Sequence, residues 1–281
     1  MAKKVKIEPE EIGQDELTYL LDNAAASDIL MISFAVFPAP GGRSAFDFRR
    51  ATSPLGVKRL FLRDPHMMWY QKGSPGIGDD VPGVVAFLKR IIAQEHPRRV
   101  VMIGNSGGGF SALLFGALLG VDEIHAFNPP TLLREPDDTS APEQLAALER
   151  EQGKDIPYLD IRAIFRAHLK PETKVFIHYS RGARRDKRHA RYLNEFPNVR
   201  LIEYPFVSHH VARFFAERAM LTPLLDAAAR GDGEALHRTT RSMFWTALPW
   251  YLPGRVGGVI EHGFSKMQRI VAGRTVRTRE G

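Results

Sequence analysis

The fifteen residues Val100–Leu114, VVMIGNSGGGFSALL, hold the passage with the strongest chemical content in the chain. Within it, Gly104-Asn105-Ser106-Gly107-Gly108 matches the pattern G-x-S-x-G. Gly and Ser are common in turns, so the match takes its meaning from its setting. It follows a β-branched run directly and opens a long apolar helix, the arrangement that lifts a serine hydroxyl above the edge of a sheet. Glycines two before and two after Ser106 remove side chains that would clash in a strained turn. The N–H of Gly107, at the helix start, points into the same space and is predicted to stabilise an oxyanion there. A Gly-rich turn at a helix start can instead bind phosphate. Neither G-x-G-x-x-G nor a P-loop fits here, because no Lys follows the glycines. The passage therefore predicts Ser106 as a nucleophile, with Asn105 beside it as a pocket residue.

This elbow resembles that of the α/β-hydrolase superfamily, and the resemblance extends over roughly residues 29–218. More narrowly, the stretches FLRDPHMMWYQKG, IGNSGGGFSALLFGALLG and DKRHARYL resemble uncharacterised bacterial hydrolase-like proteins encoded with surface-polysaccharide and glycosyltransferase genes. That narrower resemblance implies no particular substrate. The superfamily resemblance implies a base and an acid in the chain order Ser, acid, His, with the His after the last strand. His209 and His210 fall there, between the run VRLIEY and the helix pattern VARFFAERA. The narrower resemblance implies a His directly before a helix start of the form x-V-A-R, which favours His209 as the base. His210 becomes its neighbour, capping the helix or facing substrate. The acid is expected after the run KVFIHY, where SRGARRDKRHAR offers one carboxylate, Asp186, among cations that would keep it ionised. Asp186 also reads as the cap of the helix that follows, and the two roles are compatible. Asp160 is the runner-up and reads as structural; Glu203 ranks below it. The second oxyanion donor of such a site comes from the loop after an early strand, here FPAPGGR. Pro38 and Pro40 lack an N–H, so Phe37 is favoured, with Ala39 and Gly41 as alternatives.

Other residues carry less. Arg63 and Asp64, with Trp69 and Tyr70 close behind, read either as a pocket wall or as a surface ion pair backed by core aromatics. His125 and His178 lie inside strand patterns and read as core or edge histidines. No HExxH or carboxylate cluster argues for a metal, and no fingerprint argues for a cofactor.

The elements that must position Ser106 are legible as alternating strands and helices. Strand patterns occupy Ile29–Val36, Arg59–Leu62, Val100–Ile103, Glu123–Phe127, Lys174–Tyr179 and Val199–Tyr204. Continuous apolar strands separated by helices imply an α/β fold with a mostly parallel sheet covered on both faces. Val84, Val85, Leu88, Ile91 and Ile92 recur at helical spacing after Asp79, Asp80 and Pro82. Phe110–Leu119 is apolar nearly all round and is predicted to be a buried helix ending at Gly120. Asp186–Phe196 and Val211–Met220 are two further helices. Residues 128–158, rich in Pro and acid, read as an inserted lid-like segment. The division expected is a hydrolase-like domain over 1–230 and an aromatic, basic extension over 231–281.

With 281 residues, 44% of them apolar, the chain can bury a large core. It has no cysteine, which excludes disulfides, thiolate catalysis and thiolate zinc sites. The N-terminal MAKKVKIEPEE lacks the apolar stretch of a secretory signal, and a cytoplasmic location is the expectation. The charge of +7 is concentrated in Arg181–Arg191 and in the tail. The first cluster, in which Arg184, Arg188 and Arg191 share a helical face, either steers an anionic substrate or serves as solvated surface. The tail is expected to pack as an extension with a frayed basic end, peripheral contact with an anionic membrane being the alternative. The partner expected is a small-molecule or glycan acyl ester rather than nucleic acid. The function expected is a serine hydrolase acting through an acyl-enzyme on Ser106, His209 and Asp186. An acyltransferase or a non-catalytic accessory protein of glycan assembly is the alternative.

Overall fold

A computed structural model describes residues 17–35, 46–134, 142–205 and 208–250. Seven strands form one sheet: β1 (Tyr19–Asp22), β2 (Ile29–Phe34), β3 (Lys58–Leu62), β4 (Arg99–Asn105), β5 (Glu123–Phe127), β6 (Lys174–Ser180) and β7 (Val199–Tyr204). Their spatial order is β1-β3-β2-β4-β5-β6-β7. Every neighbouring pair is parallel except β1 with β3, which run antiparallel. The helices are α1 (Arg49–Thr52), α2 (Val81–Glu95), α3 (Gly107–Leu119), α4 (Pro142–Gln152), α5 (Ile161–His168), α6 (Arg184–Tyr192), α7 (Val211–Ala216), α8 (Leu221–Arg230) and α9 (Gly233–Ala247). Among the described residues, no helix is long and apolar enough to cross a membrane.

The strands alternate with a period of two, so each feeds two separate cores. Leu30, Ile32 and Phe34 of β2, Val100 and Met102 of β4, and Val175 and Ile177 of β6 pack with α2, α3 and α5. Met31, Val101, Ile103, Phe127 and Phe176 face the other way, onto α7, α8 and α9. This is the parallel sheet covered on both faces that the apolar runs imply. Strand β1 is an addition: YLLD is too short to show a pattern and is recruited by pairing with β3 at the sheet edge. Gly231, where the extension is expected to begin, is the left-handed C-cap of α8. Beyond it, α9 buries Leu236, Met243 and Ala247 against the second core, so the start of the extension is packed. Within 128–158, Leu133, Leu148 and Ile156 are buried in the first core.

A chain of polar groups crosses the face beneath α7–α9. Arg99 Nη2 donates to Glu123 Oε2 at 2.7 Å, and Glu123 Oε1 lies 2.7 Å from His125 Nε2. His125 Nδ1 is 2.9 Å from His178 Nε2, and His178 Nδ1 is 3.0 Å from the Tyr204 hydroxyl. Both histidines are fully buried. Burial, then the proximity of His125, pushes the His178 pKa well below its ordinary value of 6.5. Burial alone would raise the Glu123 carboxyl, but the bond to His125 and the Arg99 charge hold it below the ordinary range. His178 is thus neutral in the fold at a pH where the unfolded chain already binds its proton. Stability is therefore full above about pH 6.5 and falls as pH drops below it, at up to about 1.4 kcal/mol per pH unit for one such histidine. Thermal melts of the wild type from pH 8 to 5 should show this loss, and His178→Gln should flatten it. A variant with the same acid sensitivity as the wild type would assign the loss to other groups.

Candidate active site

Strand β4 ends at Asn105 and α3 begins at Gly107, leaving Ser106 alone at the junction. Its backbone sits at φ 50° and ψ −119°, a conformation that costs a non-glycine residue about 1–3 kcal/mol. Two bonds hold it there. Ser106 N donates to Phe127 O at 2.8 Å, and Phe110 N donates to Ser106 O at 3.1 Å. The strain is sustained by α3, whose residues Gly107–Ala117 are all buried. Each large apolar side chain buried there contributes about 1.5–3 kcal/mol.

The flanking glycines permit the close packing. A Cβ on Gly104 would lie 2.0 Å from Gly108 O, and one on Gly108 would lie 2.2 Å from Phe34 O. Both obstacles are backbone, so no side chain can rotate away. Gly108→Ala is expected to force α3 off β2 and lower stability by about 3 kcal/mol. Gly233→Ala serves as the control, since a Cβ there meets nothing within 4 Å. Equal melting temperatures for the two variants would show that the junction has slack.

The loops that leave the C-terminal ends of β4, β5, β6 and β7 converge on Ser106. His209, five residues past β7, has Nε2 3.1 Å from Ser106 Oγ. Its Nδ1 is 2.8 Å from Asp186 Oδ1. The His209 side chain is 31% exposed, whereas that of Asp186 is 3% exposed. Asp186 stands in the first turn of α6, and the cap position belongs to Ala183. The expected capping role for Asp186 is therefore corrected: three residues into the helix, its carboxylate turns inward. Asn128, the first residue after β5, completes the group by donating Nδ2 to Asp186 Oδ2 at 2.6 Å. Asn128 was not singled out from sequence. Its position directly after a strand, ahead of Pro129-Pro130, was the available signal.

The remaining predicted residues have varied locations. Gly107 is the first residue of α3, so its N–H is among the donors that no helical carbonyl can accept from. Phe37, Ala39 and Gly41 lie outside the described residues. Asn105 precedes Ser106, and its buried Oδ1 has no hydrogen-bond partner among the described residues. His210 is exposed and occupies the cap position of α7 without a side-chain capping bond. Trp69 and Tyr70 are buried among core aromatics: Trp69 packs edge-on to Phe110, and Tyr70 packs against Phe34 and Phe115. Arg63 and Asp64 are buried too, correcting their reading as a surface pair. Asp64 accepts the backbone N–H groups of His66, Met68 and Tyr70, and burial raises its pKa against those bonds. Asp160 caps α5 through Arg162 N and Ala163 N. Glu203 pairs with Arg181 at 2.6 Å and accepts from Tyr179, whose hydroxyl is pushed up to about 12 by burial and by that bond. On α6, Arg184, Arg188 and Arg191 are exposed, while Asp186, His189 and Ala190 face inward.

No protein-family model matches the chain. No curated protein sequence matches it. Solved structures do. The capsule O-acetyltransferase of Neisseria meningitidis serogroup A superposes with a TM-score of 0.55 at 16% identity, over 72% of this chain and 90% of that one. The glycosylation-associated Gap123 complex of Streptococcus agalactiae matches with a TM-score of 0.52 at 15% identity, over 77% of this chain and 45% of that one. A fluorophosphonate-binding serine hydrolase of Staphylococcus aureus aligns at 0.48 and 12% identity, over 80% of this chain and 86% of that one. At these identities the likeness concerns the fold. With its strand order and its strand–serine–helix junction, the chain has the α/β-hydrolase fold.

Proposed function

We propose that this α/β-hydrolase-fold chain is a serine-dependent enzyme that cleaves an ester or related acyl bond through an acyl-Ser106 intermediate. The observation that carries the reading is the continuous array from Ser106 Oγ through His209 to Asp186, with contacts of 3.1 and 2.8 Å. With its proton on Nδ1, facing the carboxylate, the imidazole presents the Nε2 lone pair to the serine hydroxyl. Ser106 Oγ attacks the substrate carbonyl carbon while its proton passes to His209 Nε2. The Gly107 N–H stabilises the resulting oxyanion. Collapse breaks the ester bond, and the leaving alcohol takes the proton from His209. Water then attacks the acyl carbon, gives its proton to His209 and releases the acid as Ser106 recovers its own.

A second reading replaces that water with a hydroxyl of a glycan acceptor. It is favoured by the likeness to a capsule O-acetyltransferase and to a glycosylation-associated complex. Both readings share the acyl-enzyme, so one experiment tests their common part. The wild type, incubated with a fluorophosphonate probe and digested, should carry the label on the Ser106 peptide. It should also release nitrophenol from short nitrophenyl esters. Folded protein that neither labels nor hydrolyses would defeat both readings. Adding a sugar acceptor then separates them, since only a transferase yields acylated sugar.

A further inference from the structure

We infer that Asn128 is a positioning residue that holds the Asp186 carboxylate in register with His209; the inference rests on the acyl-transfer reading above. The two oxygens of Asp186 have separate donors. Oδ1 meets His209 Nδ1 at 2.8 Å, and Oδ2 receives Asn128 Nδ2 at 2.6 Å. A carboxylate held by one bond can turn about its own axis. Held by two from different directions it cannot, and the imidazole plane follows it. Asn128 and Asp186 are both almost fully buried, so water does not compete for the bond.

Asn128 is itself fixed. Its N–H donates to His178 O at 2.8 Å, tying it to β6, the strand that leads into α6. Its φ is 46°, in the left-handed region that asparagine tolerates better than most residues. Glycine would meet that backbone requirement with less strain and without burying an amide. The amide is moreover half used: its Oδ1 is buried and has no hydrogen-bond partner among the described residues. A residue kept only for backbone shape would not carry that penalty. What the side chain supplies is the Nδ2 donor.

A second link joins the same loop to the same helix and serves as an internal comparison. Thr131 N donates to His189 Nδ1 at 3.2 Å, and Thr131 Oγ1 donates to His189 O at 2.9 Å. Residues three apart on the loop thus meet residues three apart on α6. The Thr131 link secures the helix; the Asn128 link reaches the carboxylate.

The test compares wild type, Asn128→Gly, Asn128→Asp and Thr131→Val in fluorophosphonate labelling rate, ester kcat and KM, and melting temperature across pH. Asn128→Gly keeps the left-handed backbone and removes only the donor. It should lower labelling rate and kcat ~10- to 100-fold, as small misplacements of catalytic groups do, with KM changed less than about twofold. Thr131→Val should lower the melting temperature and leave the pH profile of the rate unaltered. Asn128→Asp can donate to Asp186 only while the pair holds a proton. Relative to the wild type at the same pH, this variant should lose rate as pH rises, when the shared proton leaves and the two carboxylates repel. The low-field proton resonance of His209 Nδ1 should weaken in Asn128→Gly and persist in Thr131→Val. Asn128→Gly with wild-type rates, or a loss explained by unfolding or by KM, would overturn the inference. A wild type that shows the resonance but does not label would instead defeat the acyl-transfer reading, and the separate resonance result distinguishes the two failures.

Discussion

Ser106→Ala is expected to abolish fluorophosphonate labelling and to reduce ester turnover by ~10⁴- to 10⁶-fold, leaving only the contribution of binding and oxyanion donors. The substitution removes one oxygen. That oxygen makes no bond to the helix it precedes, since Ser106 offers α3 no side-chain cap. The strained backbone is equally costly for Ala and for Ser, so the fold is unaffected on that account. His209 Nε2 loses its partner but is partly exposed, and water replaces the hydroxyl. The melting temperature should therefore stay close to that of the wild type while activity disappears. Retained labelling, or turnover within about tenfold of the wild type, would move the nucleophile to another residue.

Asp186→Asn should cost ~10⁴-fold in kcat, and Asn128 makes the reason specific. The Asn128 amide donates to the position of Asp186 Oδ2 from 2.6 Å away. An asparagine at 186 would satisfy that donor by turning its own carbonyl oxygen toward Asn128. Its NH₂ group would then face His209 Nδ1, which could only accept. The imidazole proton would move to Nε2, and the lone pair that should take the Ser106 proton would be gone. Steady-state kinetics with a nitrophenyl ester measure the effect, and Asp160→Asn is the comparison because Asp160 caps α5 instead. Comparable losses in the two variants would mean that the damage is structural. Turnover of Asp186→Asn close to the wild type would remove Asp186 from the mechanism.

Much of the framework was legible because it depends on local pattern. Glu123–Phe127 and Val199–Tyr204 are strands at the residues read from the sequence, and the Gly-rich turn meets its helix where the apolar run begins. Other elements were not legible. The edge strand β1 exists through its pairing with β3, a contact between distant segments. Helix α9 buries Leu236, Thr240, Met243 and Ala247, a sparse stripe that has value only once α8 and Tyr204 lie beneath it. His125 and His178 read as core histidines from their place in strands. That they are bonded to each other follows from the alignment of β5 beside β6.

The sequence by itself determined the alternation of strands and helices, the glycine-flanked serine between β4 and α3, and a short roster of acids and histidines near strand ends. These are properties of neighbouring residues: periodicity of burial, absence of a Cβ, position in a turn. Only the tertiary structure decided which roster members meet. His209 and Ser106 are 103 positions apart and Asn128 and Asp186 are 58 apart. Each contact is set by parallel strand register, which brings the ends of β4, β5, β6 and β7 to one edge. No local pattern carries that register. For the same reason Asn128, an unremarkable residue in sequence, becomes a partner of the buried carboxylate only when β5 lies beside β6 and α6 folds back over both.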